Sequence, residues 1–276
     1  IIKNINHKID IFVENPTYFL AINIFKNHNI NIIPIDEYAD INNFEFKNDT
    51  LYLYYIIPFF QNPTGKTINY DEINILLNIL QNNKKNLYII SDEAYQLFDN
   101  KNVSLAHYNN NIISLGSFSK ILCPGIRLGW IFTKNHNIIE QYKNIAYLKS
   151  GGGVSPITQK IVYNIIESGE LCPLISSINN YIHKSINIID NILLPLKENK
   201  TIFYIKPKGG YFFWIKLLNV NINEFFSKME QNNVIVLKGN NCSYNNSCNN
   251  FIRICNCYLS HKNLKKAIEN MRNILL

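Results

Sequence analysis

The chain has 276 residues, of which 47% are hydrophobic, and a formal net charge of +7 at pH 7. This length and apolar content favour a packed globular protein with one large domain or two small ones. The longest apolar stretch, Leu51 to Phe60, is about half as long as a membrane span and contains Pro58, so no membrane partner is expected.

The positive charges are scattered along the sequence, which indicates solvated surfaces and no nucleic-acid partner. The cysteines lack the paired two-residue spacing of a zinc site, and a chain of this size does not need disulfide staples. We therefore expect no metal, reduced thiols and a cytoplasmic location. The six cysteines are Cys123, Cys172, Cys242, Cys248, Cys255 and Cys257.

The first half of the chain alternates short apolar runs with helix-period segments, a pattern typical of an α/β fold with a mostly parallel sheet. Continuous apolarity predicts strands that are covered on both faces. The predicted strands are Asp10 to Val13, Asn31 to Ile35, Leu51 to Ile57, Leu87 to Ser91, Ile112 to Leu115 and Leu128 to Phe132. The predicted helices between them are Thr17 to Asn27 and Tyr70 to Asn83.

The second half is richer in helix and predicts a smaller α+β domain. The pattern is helical over Asn135 to Lys149. A flexible joint at Gly151-Gly152-Gly153 follows, and then a helix that Ser155 caps with Pro156 in its first turn. The later predicted elements are helices over Leu174 to Leu196, Ile222 to Asn232 and from Lys262, and strands over Ile202 to Lys206, Tyr211 to Lys216, near Val234 and near Phe251. We place the domains at residues 1–170 and 171–276.

Two further expectations concern the ends and the loops of the chain. The sequence opens with Ile1-Ile2, without Met, directly before a predicted strand, so we expect an N-terminal part of the large domain to be missing. The loop from Gly239 to Asn250 is rich in Asn and Ser and is assigned no chemistry.

Lys120 is the first candidate functional residue, because hydroxyl and guanidinium groups surround it in the sequence. Ser117 and Ser119 precede it at the end of a predicted strand, and Arg127 follows. Such groups suit a phosphorylated aldehyde cofactor, whose aldehyde condenses with an amine while hydroxyls and an Arg fork bind the phosphate. Taken alone, Lys120 would more often be an ordinary surface lysine.

Asp92 follows the strand Leu87 to Ser91, and carboxylates at the carboxyl edge of a parallel sheet lie where α/β proteins bind ligands. Paired with a pyridine nitrogen, this carboxylate would keep the nitrogen protonated. An extended chain would place Ala94 on the same face, where its small side chain leaves room for a flat ring. Tyr95 is a donor for a phenolate oxygen. The alternative interpretation of Asp92 is a helix cap.

Three residues elsewhere complete the constellation. Asn62, in the turn Asn62-Pro63-Thr64-Gly65, is a second candidate donor to the phenolate oxygen and a candidate substrate contact. Tyr18 could stack on the cofactor ring, although an aromatic residue after a proline is more often part of a core. Arg253 could pair with a substrate carboxylate, the alternative being a surface arginine on an edge strand.

Taken together, these motifs resemble the fold type I aminotransferases of class I/II that depend on pyridoxal 5'-phosphate, in the branch with 2-aminoadipate, kynurenine and aromatic aminotransferases. The resemblance spans nearly the whole chain. Its motifs are Gln61-Asn62-Pro63-Thr64-Gly65, Asp92-Glu93-Ala94-Tyr95, Ser117 through Trp130, Gly209-Gly210-Tyr211-Phe212-Phe213-Trp214 and Phe251-Ile252-Arg253. The family's upstream phosphate-binding turn and its N-terminal arm are absent.

The resemblance implies a homodimer and a role for each candidate residue. These roles are the Schiff-base lysine for Lys120, the ring-nitrogen partner for Asp92, phenolate contacts for Asn62 and Tyr95, ring stacking for Tyr18, phosphate contacts for Ser117, Ser119 and Arg127, and substrate-carboxylate binding for Arg253.

The implied activity is ping-pong transamination between an α-amino acid and a 2-oxo acid in a biosynthetic process, with Lys120 as both anchor and base. Two alternatives stay open, because fold does not fix reaction. One is the ligand-sensing domain of a transcription regulator, and the other is a lyase that uses the same cofactor.

Overall fold

The computed structural model describes residues 8–82, 86–98, 103–150 and 153–276. The chain forms two compact units. The first unit comprises the described residues up to Glu14 and those within Asn23–Phe59 and Ile68–Ser176. The second unit comprises Asn15–Ile22, Phe60–Thr67 and Ser177–Leu276. The domain boundary predicted after residue 170 stays a prediction.

The first unit is built on a six-stranded sheet with the order β2-β1-β3-β4-β5-β6. All neighbouring pairs are parallel except β5 and β6, which are antiparallel. The strands are β1 Lys8–Glu14, β2 Asn31–Ile35, β3 Thr50–Ile56, β4 Leu87–Asp92, β5 Ile112–Ser117 and β6 Gly129–Phe132. The mostly parallel α/β sheet that the sequence predicts is therefore confirmed.

Continuous burial explains why β3 is readable from the sequence, whereas β6 has no buried residue and the cover on both faces expected for it is wrong. In β3 every residue but Leu51 is buried, and Tyr52, Tyr54 and Ile56 are fully enclosed. A strand covered on both faces has no solvent-facing positions to fill with polar residues, so its sequence is apolar throughout.

Helices flank these strands in the chain. They are α1 Phe19–Asn27, α2 Tyr70–Asn82, α3 His136–Lys143, α4 Ala146–Lys149 and α5 Pro156–Glu167. The Ser155 side chain caps α5 by accepting from the Thr158 N–H, and Pro156 occupies the first turn, as predicted. The predicted glycine joint lies largely outside the described residues, because Gly151 and Gly152 are not described; the same is true of Asn83, the predicted end of α2.

The helical stretch predicted over Asn135 to Lys149 forms two helices, α3 and α4, and not one continuous helix. Asn144 ends α3 with a backbone ψ of 0°, and its Nδ2 donates to the Glu140 carbonyl at 2.9 Å. The backbone N–H of Asn144 also donates to this carbonyl, at 3.2 Å, so Glu140 is satisfied within α3 by Asn144 alone. The apolar periodicity continues across the break and therefore conceals it.

The second unit contains a four-stranded antiparallel sheet with the order β7-β8-β10-β9. Its strands are β7 Ile202–Tyr204, β8 Phe212–Leu217, β9 Leu237–Lys238 and β10 Phe251–Cys255, and the helices of this part of the chain are α6 Leu171–Glu198, α7 Ile222–Gln231 and α8 His261–Leu275. Leu264, Ile268 and Met271 give α8 a buried stripe with helical spacing. These elements match the predicted α+β content, but the strand predicted near Val234 lies three residues later, as β9.

Among the described residues, no helix is both long and apolar enough to cross a membrane.

Candidate functional site

Asp92 is the last residue of β4, at the carboxyl edge of the parallel sheet. Its Oδ2 accepts a hydrogen bond of 2.7 Å from the Tyr55 hydroxyl on the neighbouring strand β3, and its Oδ1 accepts from the Ala94 N–H at 3.2 Å. The chain turns at Ala94, so the extended conformation expected there is wrong. The Asp92 carboxylate itself stabilises this turn by accepting from the Ala94 N–H, and the alternation of side chains along a strand does not predict such a bond.

Burial is the main influence on Asp92, and it raises the pKa of this carboxyl above its ordinary value. The Tyr55 hydroxyl, the Ala94 N–H and the charge of Lys120 act in the opposite direction. The carboxylate therefore has two fixed donors and a lysine charge close enough to favour its ionised form. Tyr55 is a contact that the sequence analysis missed.

Lys120 lies just beyond the end of β5, the strand next to β4. Ser117 ends β5 and caps a short 3₁₀ helix over Phe118–Lys120 by accepting from the Ser119 N–H at 3.1 Å. The Lys120 side chain is exposed, and its Nζ lies 5.8 Å from the centre of the buried Tyr95 ring. The structure thus brings Asp92, Tyr95 and Lys120 together in the first unit.

Arg127 ends a second 3₁₀ turn over Pro124–Ile126 in a left-handed backbone conformation, with a φ of 45°. Its guanidinium is exposed and makes a long contact of 3.5 Å with the Pro124 carbonyl. A weakly held guanidinium can reorient toward an anion at little cost.

Gly116, directly before Ser117, allows the Trp130 side chain of β6 to pack closely against β5. It pairs with Trp130 of β6, and any Cβ at this position would overlap the indole ring. The same indole packs against Phe118, with 4.8 Å between ring centres. The aromatic cover over Gly116 therefore supports the segment that carries Lys120.

Glu93, next to Asp92, is a buried residue whose hydrogen bonds stabilise the fold. It is 3% exposed, and its Oε1 accepts from the Ser91 hydroxyl at 2.8 Å, the Ser114 hydroxyl at 2.7 Å and the Leu105 N–H at 2.9 Å. A buried carboxylate with three donors ties β4 and β5 to the following loop. It thereby fixes the strand end at which Asp92 emerges.

Arg253 and Asn62 contact each other in the second unit. The Arg253 guanidinium donates to Asn62 Oδ1 at 2.7 Å and lies over the Phe212 ring, with 4.3 Å between Cζ and the ring centre. Strand β10 is flanked by β8 and β9, so the edge-strand alternative for Arg253 is wrong. The buried Nε of Arg253 has no hydrogen-bond partner among the described residues, and a buried donor of this kind calls for an acceptor.

The turn that carries Asn62 is clamped by Gln61, a residue the sequence analysis left without a role. Gln61 Oε1 accepts from the Thr64 N–H at 2.9 Å and from the Thr64 hydroxyl at 2.6 Å, and its Nε2 donates to the Pro16 carbonyl at 2.9 Å. Gly65 has a φ of 71°, and a Cβ there would lie 2.8 Å from the Phe212 carbonyl oxygen. In the sequence, the only indication of this role was the position of a glutamine directly before a turn motif.

Tyr18 directly precedes α1, in a segment that the loop from Gly239 to Asn250 holds in place. The Thr17 N–H donates to the Cys242 carbonyl at 2.9 Å, and the Asn15 side chain bonds to Ser243, Asn245 and Ser247. This loop is therefore an ordered polar network, although its Asn and Ser content predicted only low complexity. Its partner, Asn15, is distant in sequence, and no local sequence pattern predicts its contact with this loop.

The sheet and the site can be compared with those of known proteins. The fold is that of the aminotransferases, since the structure matches the α-aminoadipate aminotransferase LysN of Thermus thermophilus with a TM-score of 0.83 at 20% identity, over 98% of this chain and 72% of the other. It matches the kynurenine aminotransferase of Pyrococcus horikoshii equally well, with a TM-score of 0.83 at 21% identity, over 98% of this chain and 70% of that one.

The family model for aminotransferase class I and II matches residues 1–271, and the chain belongs to this family. Two curated relatives differ in what their names state. The HTH-type transcriptional regulator NorG of Staphylococcus aureus (strain USA300) is 27% identical over 94% of this chain, which spans 59% of the regulator. The aromatic-amino-acid aminotransferase 1 of Thermococcus litoralis is 26% identical, over 95% of this chain and 65% of the enzyme.

Proposed function

We propose that this chain catalyses transamination between an α-amino acid and a 2-oxo acid with pyridoxal 5'-phosphate as its cofactor. The observation that carries the proposal is the grouping of Asp92, Tyr95 and Lys120 at the carboxyl edge of the parallel sheet. Ligands of open α/β sheets bind at this edge, and a lysine beside a shielded carboxylate suits an aldehyde that is attached to a pyridine.

The residues present fit this cofactor. Lys120 supplies an exposed amine, and Asp92 supplies a carboxylate that two donors already orient. In the proposal Tyr95 and Asn62 contact the phenolate oxygen and Tyr18 stacks on the ring. The proposed phosphate contacts are Ser117, Ser119 and Arg127.

When bound, the cofactor supplies an electron sink for the bonds at the α carbon of an amino acid. Asp92 keeps a negative charge against the pyridine nitrogen and so preserves that capacity. Arg253 binds the substrate carboxylate with its fork, and Asn62, whose Oδ1 orients the guanidinium, leaves its amide N–H groups to donate to another oxygen. Lys120 removes the proton at the α carbon.

The proposal is tested by adding pyridoxal 5'-phosphate to the protein and then reducing it with borohydride. We expect the cofactor to become attached to the peptide that contains Lys120, and the absorbance of the cofactor to change when an amino acid is added. Lys120→Ala should remove both signals, whereas Lys143→Ala, which changes an exposed lysine paired with Glu140, should keep them. Attachment at another lysine would contradict the assignment.

The similarity to NorG favours a second candidate, a ligand-sensing domain of a regulator. The same assay separates the candidates by their products. A 2-oxo acid with the amino group retained on the cofactor supports transamination. Release of ammonia (β-elimination) or of carbon dioxide (decarboxylation) supports a lyase, and saturable binding without turnover supports a sensor. The homodimer and the biosynthetic role that the resemblance implies belong to this proposal, as does the cytoplasmic location expected from the cysteines, and light scattering of the purified protein tests the dimer.

A further inference from the structure

Two thiols outside the residues used above lie close together at the end of β10. Cys255 is the last residue of the strand, and Cys257 follows after Asn256. The two Sγ atoms are 3.5 Å apart. Both side chains are partly exposed, and both are reduced in the structure.

The two sulfurs are close because the chain bends after β10, and a regular strand would keep them further apart. Residues two apart on a regular strand share a face but are separated by about 6.6 Å. Here the chain bends from residue 256 onward, and the fully buried Asn256 anchors the bend. Its N–H donates to the Tyr211 carbonyl at 2.9 Å, and its Nδ2 donates to the Gly210 carbonyl at 3.1 Å.

The surroundings favour a thiolate at Cys255. The hydrogen bond from Cys257 lowers the pKa of Cys255 to about 6, with further help from the Arg253 charge and against the effect of burial. Cys242 shows the contrast, since burial raises its pKa to about 11. A partly exposed thiolate beside a second thiol has the features of a reactive cysteine, whereas Cys242 has those of an inert one.

We propose that Cys255 and Cys257 form a modification site that closes to a reversible disulfide by exchange with a low-molecular-weight disulfide such as oxidised glutathione. The Cys255 thiolate attacks one sulfur of that disulfide, forms a mixed disulfide and releases the first glutathione thiolate. Cys257, after losing its proton, then attacks Cys255 Sγ and releases the second glutathione. Two protein thiols are oxidised and one glutathione disulfide is reduced to two thiols.

Ring closure, and not the first attack, is the distinguishing property of this site. A lowered pKa increases the thiolate fraction but also lowers the nucleophilicity of the sulfur, so the two effects largely cancel in the attack rate. The second step is intramolecular between sulfurs that the bend already holds together, so the mixed disulfide should be short-lived. The exposed Cys172 provides an internal reference for a thiol that is modified without this closure.

The test treats the purified full chain with oxidised glutathione and maps the tryptic peptides without reduction. Residues 254–262 form one peptide that contains Cys255 and Cys257 and no other cysteine. We expect this peptide to lose two hydrogens and to carry no glutathione, while the Cys172 peptide retains glutathione. Adding reduced dithiothreitol should reverse both changes.

Variants make the outcome decisive. Cys257→Ser should trap glutathione on Cys255, and Cys172→Ser should leave the 254–262 peptide as in the wild type. Stable glutathione on the wild-type peptide, a failure of Cys257→Ser to trap it, or pairing of Cys255 with a cysteine outside the peptide would each overturn the proposal. These readouts do not require transamination, so they stand apart from the proposed function.

Discussion

The Tyr55 hydroxyl donates a hydrogen bond of 2.7 Å to Oδ2 of Asp92 and joins the carboxyl ends of β3 and β4. Its effect on the Asp92 carboxyl opposes that of burial, because the phenol stabilises the charged form that burial disfavours. The bond also fixes the direction of the carboxylate. Tyr55 is therefore a positioning residue for the proposed contact between Asp92 and the cofactor nitrogen.

Tyr55→Phe should weaken the cofactor-dependent reaction while leaving the fold intact. A hydrogen bond to a charged group contributes about 1.5–3 kcal/mol, so we expect the rate with an amino acid under single-turnover conditions to fall by about tenfold or more. The measurement is the absorbance change of the bound cofactor, together with the pH dependence of that spectrum.

The matched control is Tyr88→Phe, which removes a tyrosine hydroxyl from β4 and leaves the bond from Tyr55 to Asp92 in place. We expect this variant to keep the wild-type rate and spectrum. Equal rates and equal pH profiles for Tyr55→Phe and the wild type would show that the phenol does not position Asp92.

Asp92 should also leave a signature in the stability of the cofactor-free protein. Its pKa is raised by burial, so the folded state binds the proton more tightly than the unfolded state. The free energy of unfolding should therefore fall as the pH rises from about the ordinary carboxyl pKa toward the raised value. Asp92→Asn should remove this part of the pH dependence, which chemical denaturation at several pH values measures.

Asp190 should show the opposite behaviour. Burial raises its pKa, but the Lys206 ammonium at 2.9 Å and the Tyr204 hydroxyl at 2.8 Å outweigh burial and lower it overall. Its contribution to stability is then present above the ordinary carboxyl pKa and is lost as the pH falls through the lowered value. Asp190→Asn should reduce the acid sensitivity of unfolding, and the same slope for the Asp92 and Asp190 variants would contradict both predictions.

The sequence predicted the parallel strands well, because a buried strand such as β3 is apolar nearly throughout and polar residues such as Asp92 and Ser117 mark the strand ends. It did not reveal Tyr55, since a tyrosine inside an apolar strand has the same pattern whether its hydroxyl is bonded or not. The antiparallel direction of β6 was also hidden, because alternation and apolarity carry no information on strand direction.

Long-range polar contacts were the other part that the sequence could not give. Asn15 reaches Ser243 across 228 positions, and Arg253 reaches Asn62 across 191. Each partner has only short-range signals, namely a turn for Asn62 and low complexity for the loop around Ser243. Pairing of this kind is decided by tertiary packing, which no local pattern contains.

Glu93→Ala should destabilise the first unit strongly. The change leaves three buried donors, from Ser91, Ser114 and Leu105, without their acceptor. Unsatisfied buried groups cost about 1–3 kcal/mol each and are not additive, so we expect a loss of about 2–5 kcal/mol in the free energy of unfolding. Equilibrium denaturation in urea measures it.

Two controls separate the lost acceptor from the lost charge. Glu93→Gln retains one oxygen as acceptor and should lose less stability than Glu93→Ala. Glu140→Ala removes an exposed partner of Lys143 and should change stability by less than about 1 kcal/mol. If Glu93→Ala were no more damaging than Glu140→Ala, the buried network would not hold the end of β4.

Arg253→Lys should raise the KM for the amino acid by about tenfold or more, because lysine keeps the charge but loses the planar fork that binds a carboxylate through two parallel hydrogen bonds. It also loses the contact with the Phe212 ring and the orientation by Asn62 Oδ1. Since the substituted group does not touch the reacting carbon in the proposed function, kcat should fall less than KM rises.

Arg272→Lys on α8, where the guanidinium contacts the neighbouring Asn273 side chain, is the matched control and should leave both constants unchanged. An unchanged KM for Arg253→Lys would remove the proposed carboxylate contact and leave Arg253 with the role of bracing the Asn62 turn.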